Sequence, residues 1–225
     1  MRLTLKIGGS ILEEPAIRHP VLQQIAELRK ERHEVILVHG GGKSLSRRLS
    51  QLGVRSEFLD GLRITDSTVL AVAVMVLTGE VNKNLVVELE RFGARGIGIC
   101  GADASAVRCR PLSESPGSPE GLGFVGKPWL LERSVFELLI GAGIVPVVSS
   151  IAIGEDFQLY NVNADQMAAI CGWGAGCDLL VYLTDVPGVR DADGEVLTSV
   201  GRAEIERMRQ AGALSGGMLP KTSSC

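Results

Sequence analysis

Two short glycine turns near the start of the chain, Lys6-Ile7-Gly8-Gly9-Ser10 and His39-Gly40-Gly41-Gly42, carry the residue types that hold a phosphate group. A glycine run lets backbone N–H groups come close to an anion, and a helix that starts there adds its positive N-terminal end. Lys6 stands two residues before the first turn, within reach of the same anion. One strand, glycine turn and helix is an ordinary α/β connection that needs no ligand. Two of them in the first 45 residues, one with a lysine, favour a phosphate cradle over two plain bends. The commoner motifs do not fit. Gly42-Lys43-Ser44 lacks the upstream glycine of G-x-x-x-x-G-K-[ST]. Gly96-Ile97-Gly98-Ile99-Cys100-Gly101 has the letters of a dinucleotide fingerprint but lies in an apolar, strand-like run and opens no helix.

Three clusters follow in the second half: Tyr160-Asn161-Val162-Asn163-Ala164-Asp165, Leu183-Thr184-Asp185-Val186-Pro187-Gly188 and Ser215-Gly216-Gly217-Met218-Leu219-Pro220-Lys221. Asn163 and Asp165 also suit a helix N-cap and first turn, and Pro187-Gly188 suits an ordinary turn. Their occurrence together and in order weighs toward a site.

The elements that must position these residues alternate. Strands are expected at Arg2 to Ile7, Glu34 to Val38, Gly96 to Cys100, Ile144 to Ser149 and Asp178 to Thr184. Helices are expected at His19 to Glu31, Lys43 to Leu52, Asp66 to Phe92, Ser134 to Ala142, Ala164 to Cys171 and Arg202 to Ala211. This order predicts an α/β fold with a mainly parallel sheet covered on both faces, whose ligands sit beyond the carboxyl ends of the strands, where both glycine turns lie. Cys109 to Pro128 breaks the pattern and reads as a hairpin with a mobile, Ser/Pro/Gly-rich tip.

Composition narrows the class. With 225 residues, 45% hydrophobic content and a net charge of −3, the chain suits one large domain or two lobes. Lys and Arg total 23 against 26 acidic residues and form no basic block beyond Arg47-Arg48, which argues against a nucleic-acid partner. The sequence shows no signal-peptide pattern, and no run is expected to reach transmembrane length. The five cysteines (Cys100, Cys109, Cys171, Cys177, Cys225) form no C-x-x-C pair, which suits reduced thiols in a cytoplasmic protein without a metal site.

Taken together, Lys6-Ile-Gly-Gly-Ser10, Val38-His-Gly-Gly-Gly42, Asp60-Gly-Leu-Arg-Ile-Thr65, Gly79-Glu-Val-Asn-Lys83, Gly123-Phe-Val-Gly126 and the three later clusters resemble the amino acid kinase family, in its acetylglutamate branch. The resemblance runs from Lys6 to Lys221. It implies a three-layer α-β-α sandwich of the carbamate kinase type, with residues 1–172 as a lobe for the amino acid and dimerisation and residues 173–225 as a nucleotide lobe. It also implies phosphorylation of the side-chain carboxylate of N-acetyl-L-glutamate by ATP, with Mg²⁺ carried by the nucleotide and no metal site of the protein's own.

By the same resemblance Lys6 and Lys221 flank the moving phosphoryl group, Asp165 holds their ammonium groups, and Gly9 and Gly41 donate backbone N–H bonds. Gly40, Gly41, Gly42, Arg63, Asn161 and Asn163 would hold the acylated substrate, with Arg63 and Asn161 on its α-carboxylate. Lys6, Gly8, Thr184, Asp185, Val186, Gly188, Gly216, Gly217, Met218 and Lys221 would line the nucleotide site. The chemistry is consistent, since a carboxylate nucleophile is already ionised at neutral pH and needs positioning and charge stabilisation rather than a base. An arginine at position 63 suits a planar carboxylate.

Two departures from the family pattern shape the remaining expectations. The chain stops at Cys225, four residues after Lys221, so the nucleotide lobe is expected to be truncated. The first strand begins at once, so the resemblance implies a simple homodimer without arginine feedback. The helix Asp66 to Phe92, with its apolar Val69 to Leu77 run, serves equally as that interface or as intramolecular core. The alternatives are a kinase for carrier-protein-bound glutamate or aminoadipate, and an inactive regulatory or truncated relative.

Overall fold

The computed structural model describes residues 1–112, 121–184, 186, 188–191 and 194–211. β1 (Arg2–Ile7) enters the first glycine turn, and α1 (Gly9–Glu13) and α2 (Pro15–Lys30) follow, α2 starting on a proline where no N–H is needed. β2 (Glu34–His39) ends in the second turn and α3 (Gly42–Gln51) leaves it. The hairpin of β3 (Phe58–Leu59) and β4 (Leu62–Arg63) is closed by Asp60-Gly61, with φ of 49° and 79°, a dipeptide that two-residue hairpin turns favour. One long helix comes next in three parts, α4 (Ser67–Ala73), a π-helical segment (Val74–Val81) and α5 (Asn82–Arg91). Asp66 caps it by accepting from the Val69 N–H at 2.7 Å. The described chain continues through β5 (Gly96–Ile99), β6 (Val107–Pro111), β7 (Val125–Leu131), α6 (Arg133–Gly141), β8 (Val145–Ser149), β9 (Ile151–Gly154), β10 (Leu159–Val162), α7 (Ala164–Gly174), β11 (Leu179–Leu183) and α8 (Arg202–Gln210).

Five strands form a wholly parallel sheet in the order β11-β1-β2-β8-β5. Its central strands β1, β2 and β8 are almost wholly buried, and β2 and β8 read as apolar runs for that reason, whereas β1 alternates and buries Thr4 and Lys6 as well. Leu22, Ile25, Leu85 and Leu89 of α2 and α5 pack on one face against Leu5, Val35 and Leu37. Phe136, Met167 and Cys171 of α6 and α7 cover the other face, against Ile36, Val38 and Val148. The result is the expected α-β-α sandwich.

A second feature was not expected. β6, β7, β9 and β10 close into a small barrel, and its Val107, Cys109, Tyr160 and Val162 join the core beneath α6 and α7. The expected hairpin is the antiparallel pair β6 and β7, and residues 113–120 of the tip assigned to it, 113–121, lie outside the described residues. Gly96, Gly98 and Gly101 are packing glycines, not a dinucleotide turn. An added Cβ at Gly101 would lie 2.6 Å from the Val107 carbonyl oxygen.

The long helix corrects one expectation. Ser67–Arg91 is long and apolar enough to cross a membrane by length and composition. Its apolar side is nonetheless used inside the fold, since Val69, Val72, Ala73, Val76 and Leu77 pack with Leu45, Leu49 and Ile151. Most of the Val69 to Leu77 run is therefore core, with Ala71 and Met75 exposed.

Gly123 locks the β4 end to the barrel. It has a φ of 68° and forms a bridge with Thr65, whose backbone an added methyl would strike. Gly123→Ala is expected to destabilise the protein by about 2–3 kcal/mol, from positive-φ strain plus overlap. Chemical denaturation of the two proteins checks this.

Candidate active site

The two glycine turns open side by side, because Ile7 pairs with His39 at the carboxyl ends of β1 and β2. The helices that leave them have glycine N-caps, Gly8 and Gly41, and no side-chain cap. Their first-turn N–H groups thus lack intrahelical acceptors and can serve an anion. Gly41 has a φ of 150°, and a Cβ there would lie 2.7 Å from Leu77 Cδ2, so the turn is moulded against the π segment.

Lys6, on the interior strand β1, places its Nζ 2.7 Å from Asp165 Oδ1, with the two side chains only 10% and 8% exposed. Asp165 is presented by the first turn of α7. Asn163 caps that helix through its Oδ1, which accepts from the N–H groups of Asp165 at 2.8 Å and Gln166 at 3.2 Å. The capping role of Asn163 and its place in the site therefore coexist. Gly40 abuts the same helix end, where its Cβ position is 3.5 Å from Ala164 Cβ.

A cavity of about 160 Å³ lies in front of the second turn and is lined by Gly40, Gly41, Gly42, Arg63, Asn161 and Asn163. All six residues that the resemblance assigns to the substrate thus line one cavity. Sequence reasoning missed Leu45, Phe58, Leu77 and Ser150 in the remainder of the lining, because these come from separate elements and have ordinary core or surface composition; Leu62 lies in the Asp60 to Thr65 motif but was not assigned to the site. Lys6, Gly8, Gly9 and Asp165 are not part of this lining. Gly8 and Gly9 belong to the neighbouring turn after β1.

Arg63 is the electrostatic centre of the cavity. It is 7% exposed, stacks on the Phe58 ring at 4.6 Å, and donates to Gly42 O at 3.0 Å, to Ser46 Oγ at 2.8 Å and to Ser56 Oγ. Those bonds use three of its five N–H groups. Burial depresses its pKa, and among the described residues no carboxylate pairs with it. Asn161 is tied to the same region, since its Nδ2 donates to the buried Thr65 hydroxyl at 3.2 Å while that hydroxyl donates to Arg63 O at 2.8 Å.

The nucleotide residues are placed less completely. The Gly8 N–H donates to Leu183 O at 2.9 Å, which brings the first glycine turn beside Thr184 at the end of β11. Val186 is exposed, and Gly188 packs against Val196, which bridges to Arg190. Asp185, Gly216, Gly217, Met218 and Lys221 lie outside the described residues. Among the described residues no three His, Cys, Asp or Glu side chains group as a metal centre would.

His39 is fully buried, and desolvation lowers its pKa to about 4. A histidine kept neutral in the fold but free to protonate near pH 6.5 when unfolded leaves stability undiminished above pH 6.5. Stability then falls as the pH drops from 6.5 to 4, by about 3 kcal/mol in all. Urea unfolding between pH 7.5 and 4.5 is expected to show this slope in the wild type and to lose it in His39→Gln.

A wholly parallel sheet between two helix layers carries paired glycine turns at its carboxyl edge and a buried lysine–aspartate pair. Residues 1–225 match the model of the amino acid kinase family, and the chain belongs to that family. It is 44% identical over 225 residues to the acetylglutamate kinase of Acidobacterium capsulatum, covering 100% of this chain and 85% of that protein. It is 43% identical over 227 residues to the acetylglutamate kinase of Koribacter versatilis, with the same coverages. Among solved structures, smu.665 of Streptococcus mutans UA159 matches with a TM-score of 0.88 at 23% identity, over 99% of this chain and 88% of that one. The carbamate kinase of Giardia lamblia bound to citric acid matches at 0.69 and 14%, over 99% and 87%. Both support the fold.

Proposed function

We propose that this chain is an ATP-dependent N-acetyl-L-glutamate 5-phosphotransferase that forms N-acetyl-L-glutamyl 5-phosphate, the second step of arginine biosynthesis. The observation that carries the reading is Arg63, a buried guanidinium without a carboxylate partner among the described residues, in a cavity walled by a glycine turn. A buried cation left in this way calls for an anionic ligand. The acetylglutamate kinase relatives supply the identity of that anion.

In this reading Arg63 and Asn161 hold the α-carboxylate, and the side-chain carboxylate points to the Gly40–Gly42 turn. Apolar Leu45, Leu62 and Leu77 wall the remainder of the cavity. The N–H groups of Gly9 and Gly41 and the Lys6 ammonium meet the charge that spreads over the phosphoryl oxygens, and Asp165 keeps Lys6 extended. The first glycine turn and Thr184 suit the ATP phosphates, whose own Mg²⁺ would add charge neutralisation. Residues 1–172 would then serve as the amino-acid lobe and residues 173–225 as the nucleotide lobe. The enzyme would work in the cytoplasm, as a homodimer covering the exposed Met75 and Val87 of the long helix.

An acceptor panel tests the assignment. With Mg-ATP, ADP release is expected with N-acetyl-L-glutamate and at least 100-fold more slowly with free glutamate or aspartate. Equal rates with the free amino acids would overturn it.

A further inference from the structure

Asn82 opens α5 directly after the π segment and is fully buried. Its Nδ2 donates to the Val147 carbonyl of β8 at 2.9 Å and lies 3.0 Å from Nε2 of His39, while Lys83 Nζ approaches its Oδ1 at 3.3 Å. An accepting carbonyl on one side and a donating ammonium on the other fix which way this amide faces. The other ring nitrogen of His39, Nδ1, lies 2.7 Å from Gly40 O. A carbonyl can only accept and an amide NH2 can only donate, so His39 carries its proton on Nδ1 and accepts at Nε2. Both N–H groups of the amide and both ring nitrogens are then satisfied.

The surroundings are shaped for this contact. A methyl group on Gly98 would overlap the Asn82 side chain, so the second glycine of Gly96-Ile97-Gly98 makes room for it. Lys83 also donates to Gly98 O at 2.9 Å, which ties the same helix turn to β5. Leu77 and Val81 of the π segment fill the space under Gly41. The wider helical turn thus sets Leu77, Val81 and Asn82 together beneath one loop, and such turns recur at functional sites.

We infer that Asn82 is a positioning residue for the Gly40–Gly42 turn, acting through His39. It fixes the imidazole tautomer whose Nδ1–H holds the Gly40 carbonyl, so that the following glycine N–H groups face the transferred phosphoryl group. The inference rests on the kinase reading of this cavity. His39 and Asn82 touch neither substrate nor nucleotide in it.

The tautomer is readable without any turnover. The chain has 3 histidines, so a long-range ¹H–¹⁵N correlation spectrum of the wild-type protein resolves them individually. His39 is expected to show a protonated Nδ1 and a bare Nε2 from pH 8 to pH 5. A protonated Nε2 or a tautomer mixture would overturn the inference, whether or not the protein is active. In kinetics, Asn82→Leu is expected to lower kcat about 10²-fold per folded molecule, the scale of a small misplacement, with both KM values within about threefold. His39→Leu is expected to do the same, and the double variant to lose no more than either alone. Losses that multiply in the double variant, or that vanish once folded fractions are equalised, would contradict it. Absence of wild-type kinase activity would count against the function proposed above and leave the spectrum to judge the tautomer.

Discussion

Lys6→Ala is expected to lower kcat by about 10²- to 10³-fold while leaving KM for the acylated acceptor within about threefold. The reason lies in where the charge develops. The acceptor carboxylate and the ATP phosphates are already anionic in the ground state, and the added demand in the transition state is on the equatorial oxygens of the moving phosphoryl group. A lysine held extended on β1 by Asp165 at 2.7 Å meets that demand without reorganising. The substitution also leaves the Asp165 carboxylate, only 8% exposed, without its cation. Removing one partner of a buried pair is destabilising by about 3–5 kcal/mol. Rates must therefore be compared per folded molecule, with circular dichroism reporting the folded fraction. If the loss disappears on that basis, Lys6 is a stability residue and not a catalytic one.

Arg63→Ala is expected to raise KM for the acylated acceptor about 100-fold with kcat changed by no more than a few fold. Charge-assisted bonds to a bound carboxylate are present equally in the ground and transition states, so their loss weakens binding uniformly. Arg63→Lys should recover little, because one ammonium cannot reproduce the planar fork that reaches Gly42, Ser46 and Ser56 while facing the cavity. Titration calorimetry with the acceptor alone checks this independently of turnover. Unchanged affinity in Arg63→Ala would move the carboxylate elsewhere.

Much of this arrangement is legible in the sequence, and the reasons are physical. β2 and β8 are buried on both faces, so each is a short apolar run bounded by turn residues, while β1 shows as an alternation of Leu3, Leu5 and Ile7 with Thr4 and Lys6. The glycine turns announce themselves because few backbones other than glycine permit such close approach. Arg63, Asn161 and Asp165 stand out only beside the other motifs of the family. Alone, Asn163 and Asp165 read as a helix start, which is also what they are.

The barrel was not legible. β9 and β10 are four residues each, too short for a period to show, and Tyr160 and Asn161 read as a loop before a helix. The π segment is equally silent, since one extra residue in a helical turn leaves no trace in an apolar run such as Val74-Met75-Val76-Leu77. The His39–Asn82 contact joins residues 43 apart in sequence, and nothing local to either announces the other.

The central claim is that the acceptor's side-chain carboxylate takes a phosphoryl group from ATP. Phosphorus NMR of the purified protein with Mg-ATP and N-acetyl-L-glutamate tests it most directly, with hydroxylamine added at the end to trap any acyl phosphate as the hydroxamate. The account predicts an acyl-phosphate resonance that grows with ADP and collapses on hydroxylamine addition, in stoichiometric yield of hydroxamate. ADP and inorganic phosphate forming together, with no hydroxamate from a protein shown to be folded, would contradict it.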